Sequence, residues 1–425
     1  MKETFKPCGL AASLAMILPA FLLLTCSSGT DNGHTYDTLP DNVDEEAADL
    51  VGDELLADVP DIPDVTEDPG GPPPRCPEMS YIWIANSAEG TLSKLCTITG
   101  EEMSRFITSP QGASGDPSRT SVNLHGDMVV TNRDPSTGPS SVTKFAADRL
   151  DCIDRNGNDS IDTSTGPDDV KPWGEDECMI WNTALPNEGA SSSIGARATA
   201  WDGAEDPDTG EGGSVWIGAI FNQSVYQLDG DTGVIENAVN INFSPYGGAM
   251  DGRGNYWMVA MTCTVMLCRI LKLDMDSLTS SVYSVPCGYG ISVDARGRIW
   301  TAGMGCVNRF DPASETNQTL RLGTQFNRGI AVDNEGSVWA AETTGNVVEV
   351  DEDTVTLINQ FHVGPEAVVG VAVDFFGYIW AVSQGGNAAL KIDPDTYTVE
   401  SFPVGSGPYT YSDMTGFQLS TVIFI

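Results

Sequence analysis

Short runs in which every second residue is apolar recur along this chain, and each run stops at Asp, Gly or Asn. Four of them are nearly the same. They are Gly248-Ala-Met-Asp-Gly-Arg-Gly-Asn-Tyr-Trp257, Gly290-Ile-Ser-Val-Asp-Ala-Arg-Gly-Arg-Ile-Trp300, Gly329-Ile-Ala-Val-Asp-Asn-Glu-Gly-Ser-Val-Trp339 and Gly370-Val-Ala-Val-Asp-Phe-Phe-Gly-Tyr-Ile-Trp380. The alternation before the Asp predicts a half-buried strand. Asp-x-x-Gly predicts a tight turn, because Asp can bond its own backbone and Gly tolerates positive φ. The next strand carries the Trp, a side chain large enough to fill the space between two stacked sheets. A third strand follows in each copy, at Arg269–Asp274, Cys306–Asp311, Asn346–Asp351 and Ala389–Asp393, and a fourth leads onward.

The tryptophans stand 43, 39 and 41 residues apart. A period near forty built of short strands predicts an all-β propeller with one blade per repeat, since one blade cannot bury both of its faces. Three weaker copies lie upstream. One is Ala198–Asp202 with Ser214–Gly218 and Val225–Asp229, its turn lengthened from Gly203 to Gly213. The second is Ser121–Val130, and the third is Tyr81–Ala85 with Thr91–Leu95. The third lacks its own Asp-x-x-Gly strand, and that piece recurs at the far end, where Asp413 and Gly416 have the right spacing. The expectation is therefore seven blades over residues 76–418, closed by a C-terminal strand that removes the free sheet edges, with 419–425 as a tail.

Residues 1–25 hold Lys2 and Lys6 and then an apolar run broken by Pro19, the pattern of a signal peptide. They end at Leu23-Leu-Thr-Cys26, which resembles a bacterial lipobox with Cys26 as the lipidated first residue of the mature chain. From Ser27 to Pro74 there is no Lys or Arg. So acidic and Pro-rich a stretch cannot bury enough apolar surface to fold, and 26–75 is expected to be a disordered acidic tether. The formal net charge of −39 excludes nucleic acid as a partner. It also leaves the lipid anchor as the sole membrane contact. The expected location is the outer membrane or cell surface, with the periplasm or the medium as alternatives.

Ten cysteines in an exported chain point to disulfides. With Cys8 in the signal and Cys26 lipidated, eight remain. Topology places Cys76 with Cys96 on one rim. Cys152 and Cys178 bracket an insertion. Cys263 with Cys268 and Cys287 with Cys306 is the preferred pairing on the opposite rim, and two other pairings of those four stay open.

The insertion, 151–197, contains Asp154-Arg-Asn-Gly-Asn-Asp-Ser-Ile-Asp162. Oxygen-bearing side chains at every second position can wrap a hard cation. Asp154, Asn156, Asn158 and Asp162 are the candidate calcium ligands, with the Ser160 carbonyl and Asp169 (or Asp168) completing the set. Asp159 takes the place of the usual Gly, and Thr165 that of the usual bidentate Glu. The expected role is a structural staple with a dissociation constant on the order of 10⁻⁴ to 10⁻³ M, as in extracellular modules.

The blade motif Gly-apolar-x-apolar-Asp-x-x-Gly-x-apolar-Trp resembles that of the streptogramin (virginiamycin B) lyase-like propellers, which are similar to the NHL and SMP-30 types. That resemblance implies an all-β propeller and, by analogy, a metal-dependent lyase or lactonase. In the lyases the motif often continues Trp-Phe-Thr-Glu, which only Trp339-Ala-Ala-Glu342 approaches here. Glu342 and Asn86 are the candidate channel residues. The lyases use a histidine base. Here His34 falls in the tether, His125 in a turn and His362 in an outer strand, so no catalytic residue is assigned. The reading favoured by the residues is a monomeric surface-binding module for a protein or polysaccharide, stabilised by calcium.

Overall fold

The structure, a computed structural model, describes Cys76 and residues 80–133, 139–186, 195–263, 267–333, 335–365 and 367–423. The signal peptide, Cys26, His34 and the tether lie outside the described residues.

Among the described residues the chain is all-β apart from one short α-helix and two 3-10 turns. Strands β1 (Tyr81–Asn86), β2 (Thr91–Cys96) and β3 (Glu102–Ile107) form a three-stranded sheet. Next come β4 (Pro117–Val122), β5 (Met128–Asn132), β6 (Ser141–Phe145) and β7 (Met179–Ala184). The third sheet has β8 (Ala196–Trp201), β9 (Ser214–Ala219), β10 (Ser224–Asp229) and β11 (Ile235–Asn240). The fourth has β12 (Pro245–Met250), β13 (Asn255–Ala260), β14 (Cys268–Asp274) and β15 (Ser280–Val285). A six-stranded sheet follows, with β16 (Gly290–Val293), β17 (Ile299–Asp311), β18 (Thr316–Val332), β19 (Ser337–Glu342), β20 (Asn346–Asp351) and β21 (Leu357–His362). The last sheet is β22 (Val368–Val373), β23 (Ile379–Ser383), β24 (Ala388–Ile392) and β25 (Val399–Pro403).

Among the described residues, then, five sheets have four or more strands and a sixth has three. This corrects the expectation of seven blades to five sheets of blade size. The reason is local. Two expected strand breaks are bridged: β17 runs 13 residues and β18 runs 17. The first part of β18 pairs with β17 at Thr316–Arg321, and the last part pairs with β19 at Asn327–Val332.

The first strands of successive repeats touch one another in order, β4 with β8, β8 with β12, β12 with β16, β16 with β18 and β18 with β22. The C-terminal segment completes the succession. Tyr409 N donates to Ala85 O at 2.8 Å and Trp83 N to Met414 O at 2.9 Å, along the free edge of β1. On its flanks, Thr415 Oγ1 donates to Val373 O at 2.6 Å and Thr120 N to Ser412 Oγ at 3.0 Å. Burial follows the same plan. Inner and middle strands are buried, with Trp257, Trp300, Trp339 and Trp380 at most 1 % exposed. The outer strands β11, β15, β21 and β25 are largely exposed.

Most of the segment expected to be a tail is instead helix α1 (Phe417–Ile423), which buries Leu419 and Val422. Gln418 Nε2 bonds Val293 O at 3.2 Å, and the backbone of Val422 lies against Gly252, where a Cβ would meet its carbonyl oxygen at 1.8 Å. The apolar end of the chain thus covers the strand ends that carry the Asp-x-x-Gly turns.

Candidate functional site

Four successive repeats share one large polar side chain at the start of the first strand, where the β22 repeat has Val369 instead. Five residues before the motif Asp stand Arg197, Tyr246, Tyr289 and Arg328. The glycines that follow the last three let the strands converge. An added Cβ at Gly290 would lie 2.1 Å from Arg328 O, and one at Gly329 would lie 2.7 Å from Gly370 Cα. Only Gly allows backbones to approach this closely. Arg119 joins from β4, Arg133 from just after β5, and Tyr409 and Tyr411 from the C-terminal segment.

These side chains form one cluster. Tyr246 donates its hydroxyl to Tyr289 at 2.9 Å, and its oxygen is 3.3 Å from that of Tyr409. The Tyr289 and Tyr409 hydroxyls are also hydrogen-bonded, and Tyr411 donates to Tyr409 at 3.5 Å. The guanidinium of Arg119 lies 3.4 Å from the centre of the Tyr411 ring, and that of Arg197 lies 4.8 Å from Tyr246. Arg328 sits 5.7 Å from the Tyr289 ring, 5.8 Å from Tyr409 and 5.8 Å from Phe326, and Arg133 sits 5.4 Å from Tyr409. Such contacts are favourable, and more so away from water.

Conventional partners are few. Arg133 is paired with Asp116. Arg119 Nη1 donates to Tyr411 O at 3.2 Å, and Arg197 Nη1 to Ser118 Oγ at 3.4 Å. Nε and Nη2 of Arg119, Nε of Arg197 and Nε of Arg328 are buried and have no hydrogen-bond partner. Arg119 is 1 % exposed and Arg197 3 %. Tyr289, Arg328 and Tyr409 are only half-buried and form the solvent side of the cluster.

The charges act on the hydroxyls. Burial pushes the Tyr409 phenol up, but the Arg197 charge and the hydrogen bonds with Tyr246, Tyr289 and Tyr411 outweigh it and pull it down to about 7. Burial drives Tyr411 well up, and burial together with the neighbouring phenols drives Tyr289 up. Burial raises Asp116 despite Arg133.

The channel residues read from sequence stand opposite neighbours of this cluster in register, Glu342 opposite Asn327 and Asn86 opposite Pro408. Glu342 is fully buried, and its Oε2 accepts from Thr344, Asn346 and Gln360, which lead outward through its own sheet. Asn86 Nδ2 likewise turns to Thr91 and Ser93 on β2. His125 is held by the Pro207 carbonyl and Asp151, each at 3.0 Å, and His362 by Asn346 at 3.2 Å.

The inserted loop gathers most of its expected groups. Asp162 Oδ2 accepts from Asn156 Nδ2 at 2.8 Å and Asn158 Nδ2 at 2.9 Å. Asp154 accepts the backbone N–H of Gly157 at 2.7 Å and of Asp159 at 3.0 Å. Ser160 donates its N–H to Asn158 Oδ1 at 2.9 Å. Asp159, at the Gly position, takes φ 60°. Asp169 does not join; it bonds Thr165 and Lys171. Among the described residues, no group of three or more His, Cys, Asp or Glu side chains could hold a metal ion. Glu177, which the sequence reading missed, is 2 % exposed and binds the loop backbone, taking Arg155 N at 2.8 Å and Asp162 N at 2.7 Å. The disulfides are Cys76–Cys96, Cys152–Cys178, Cys263–Cys268 and Cys287–Cys306.

The fold is a β-propeller, similar to that of a streptogramin B lyase. A streptogramin B lyase structure matches with a TM-score of 0.50 at 13 % identity, covering 70 % of this chain and 86 % of that one. A catalytically inactive virginiamycin B lyase from Staphylococcus aureus, with quinupristin, matches with a TM-score of 0.49 at 14 % identity, covering 68 % and 84 %. At such identities the likeness concerns the fold alone. No family model and no curated protein matches the chain.

Proposed function

We propose that this chain is an exported binding module, a propeller anchored at Cys26 and held out on its acidic tether, that takes a cell-surface protein or polysaccharide at the arginine–tyrosine cluster. The observation that carries this reading is the register. The same position in successive first strands supplies Arg197, Tyr246, Tyr289 and Arg328. These side chains recognise ligands through charge, ring faces and hydroxyls, and rigid scaffolds present such groups well.

Seven repeats around the axis fit this reading. The six first-strand segments from β4 to β22 and the C-terminal segment follow one another in contact. The long β18 serves two repeats. Calcium held by Asp154, Asn156, Asn158 and Asp162 would act as a staple of the insertion, beside Cys152–Cys178 and remote from any chemistry. The alternate spacing of these oxygen-bearing residues supports it.

A second reading is catalytic, a lyase or lactonase. Tyr409, with a pKa near neutrality beside cationic side chains, is the group in the cluster suited to general-base work.

The test is retention of envelope and medium components on the immobilised mature chain, in calcium and in EDTA, with the same fractions assayed for turnover. Specific retention without turnover supports the module. Turnover that is lost in Tyr409→Phe supports the enzyme. Retention of nothing, with no turnover, rejects both.

A further inference from the structure

We infer that the arginine–tyrosine cluster is an oxyanion site, which takes a carboxylate, sulfate or phosphate group on Arg119, Arg197 and Arg328; this deepens the binding-module reading and rests on it. Three observations carry the inference. The first is charge. Guanidinium groups remain protonated under all ordinary conditions. Four of them meet here in a chain whose formal net charge is −39. The carboxylate bonded to them is that of Asp116, and it is engaged by Arg133. Among the described residues, no carboxylate is paired with Arg119, Arg197 or Arg328. Buried charge is retained where a counter-charge answers it.

The second observation is the unused donors. Nε and Nη2 of Arg119, Nε of Arg197 and Nε of Arg328 are buried without a partner. Paired N–H groups on planar guanidinium forks match the spacing of two oxygens on one carbon, sulfur or phosphorus atom. The third is graded burial. Arg119 and Arg197 are buried, while Arg328, Tyr289 and Tyr409 of the same cluster are half-buried. Arg328 and the tyrosines are therefore the groups of the cluster that an anion from solvent can reach first. The phenol of Tyr409 supplies the local counter-charge when no ligand is bound, since the arginine field lowers its ionisation to about 7. The remaining groups facing it are Arg133, with Asp116 beyond, and the hydroxyls of Tyr246, Tyr289 and Tyr411.

The source of the anion is either a free small ion or a charged group on a polymer. The experiment uses the intact mature protein with inorganic phosphate, sulfate, acetate and polygalacturonate as probes. Binding is followed by calorimetry and by the phenolate absorbance of Tyr409. Binding of any probe, with the Tyr409 titration moved to higher pH, is the expected result. Small ions that bind as tightly per charge as the polymer mark a free-anion site, and preference for the polymer marks a displayed carboxylate. Arg328→Gln is the first variant, because Arg328 is half-buried and its side chain meets only aromatic rings. It should weaken binding at least about tenfold, and Arg328→Lys should recover part of that. Arg197→Gln should act in the same direction, its folding checked by circular dichroism. No binding of any probe at millimolar concentration overturns the inference, as does binding that Arg328→Gln and Arg197→Gln both leave unchanged. If Arg328→Gln still retains the envelope component seen with the parent protein, the module stands and the oxyanion site falls.

Discussion

Trp339 donates its indole N–H to Asp333 Oδ2 at 2.7 Å. The same bond recurs six residues apart in Trp257–Asp251 at 2.9 Å, Trp300–Asp294 at 2.7 Å and Trp380–Asp374 at 2.8 Å. The other carboxylate oxygen takes two backbone N–H groups across the turn, Glu335 N at 2.9 Å and Ser337 N at 2.8 Å in the case of Asp333. One Asp thus holds both the turn and the Trp that fills the space between sheets. In the upstream repeat the lengthened turn separates Asp202 from Trp216, and the Trp216 Nε1 is left without a partner.

Asp333→Ala should therefore cost about 2–3 kcal/mol, because it strands a buried indole N–H and two turn amides together. Trp339→Phe should cost about 1 kcal/mol more than Trp216→Phe, the difference being the hydrogen bond that only Trp339 makes. Urea unfolding of the three variants measures both. Equal costs for the two Trp variants would show that the Asp bond adds nothing net.

Two glycines separate backbone strain from crowding. Gly377 has φ +80° and open space where a Cβ would go. Gly377→Ala should lower stability by about 1–2 kcal/mol, the left-handed penalty alone. At Gly370 a Cβ would lie 2.0 Å from Thr410 O, which is backbone and cannot swing aside. Gly370→Ala should cost more than Gly377→Ala and should disturb the C-terminal segment. The check is thermal unfolding combined with hydrogen exchange at Tyr409 and Met414.

Removing residues 405–425 should expose the edge of β1 and uncover the apolar surface around Leu419 and Val422. The bonds from Tyr409 to Ala85 and from Trp83 to Met414 go with it. The truncated chain should bind a hydrophobic dye and aggregate, as free strand edges and uncovered apolar patches do. A soluble monomer with unchanged melting temperature would contradict the closure role.

One of the eleven tyrosines should ionise near neutrality. Its phenolate absorbance should grow in as pH rises through about 7 and be missing in Tyr409→Phe. The sign for ligand binding follows. The phenolate is a competing anion among the arginines, so an added oxyanion should bind more tightly below about pH 7 than above it. The sign for folding is opposite. A phenol whose folded pKa lies below its ordinary value contributes stability that is fully present above that ordinary value and is lost as pH falls through about 7. Calorimetry at two pH values and a melting series across the same range separate the two effects.

How much of this was legible in the residues differs by level. The repeats, the turn chemistry, the positions of most strands and two cysteine pairs were readable because each depends on neighbours in sequence or on the order of blades, while the pairing of Cys263, Cys268, Cys287 and Cys306 was left between alternatives. The arginine–tyrosine cluster left a trace that went unread. Five residues before the motif Asp stand Tyr246, Tyr289 and Arg328 in three of the four clear repeats, with Arg197 in the matching place upstream and Val369 in the last repeat. Glu342 and Asn86 were expected at the channel because they follow the Trp strand. Each hydrogen-bonds within its own sheet, as Glu342 does with Asn346, while Glu342 Oε1 and Asn86 Oδ1 stay buried without a partner.

The sequence by itself determined that short strands alternate, where they turn, and that they repeat at a period near forty. Alternation and turn residues act over a few positions, so they are written locally. Only the tertiary structure decided that Arg119, Arg197, Arg328 and Tyr409 share one place, because 290 residues of chain separate Arg119 from Tyr409. It also decided that Tyr409 is acidified, since that depends on the charges which ring closure brings around it. The same holds for the last residues. Their apolar character is plain in the sequence, but the surface that buries Leu419 and Val422 exists only once the repeats have closed around an axis.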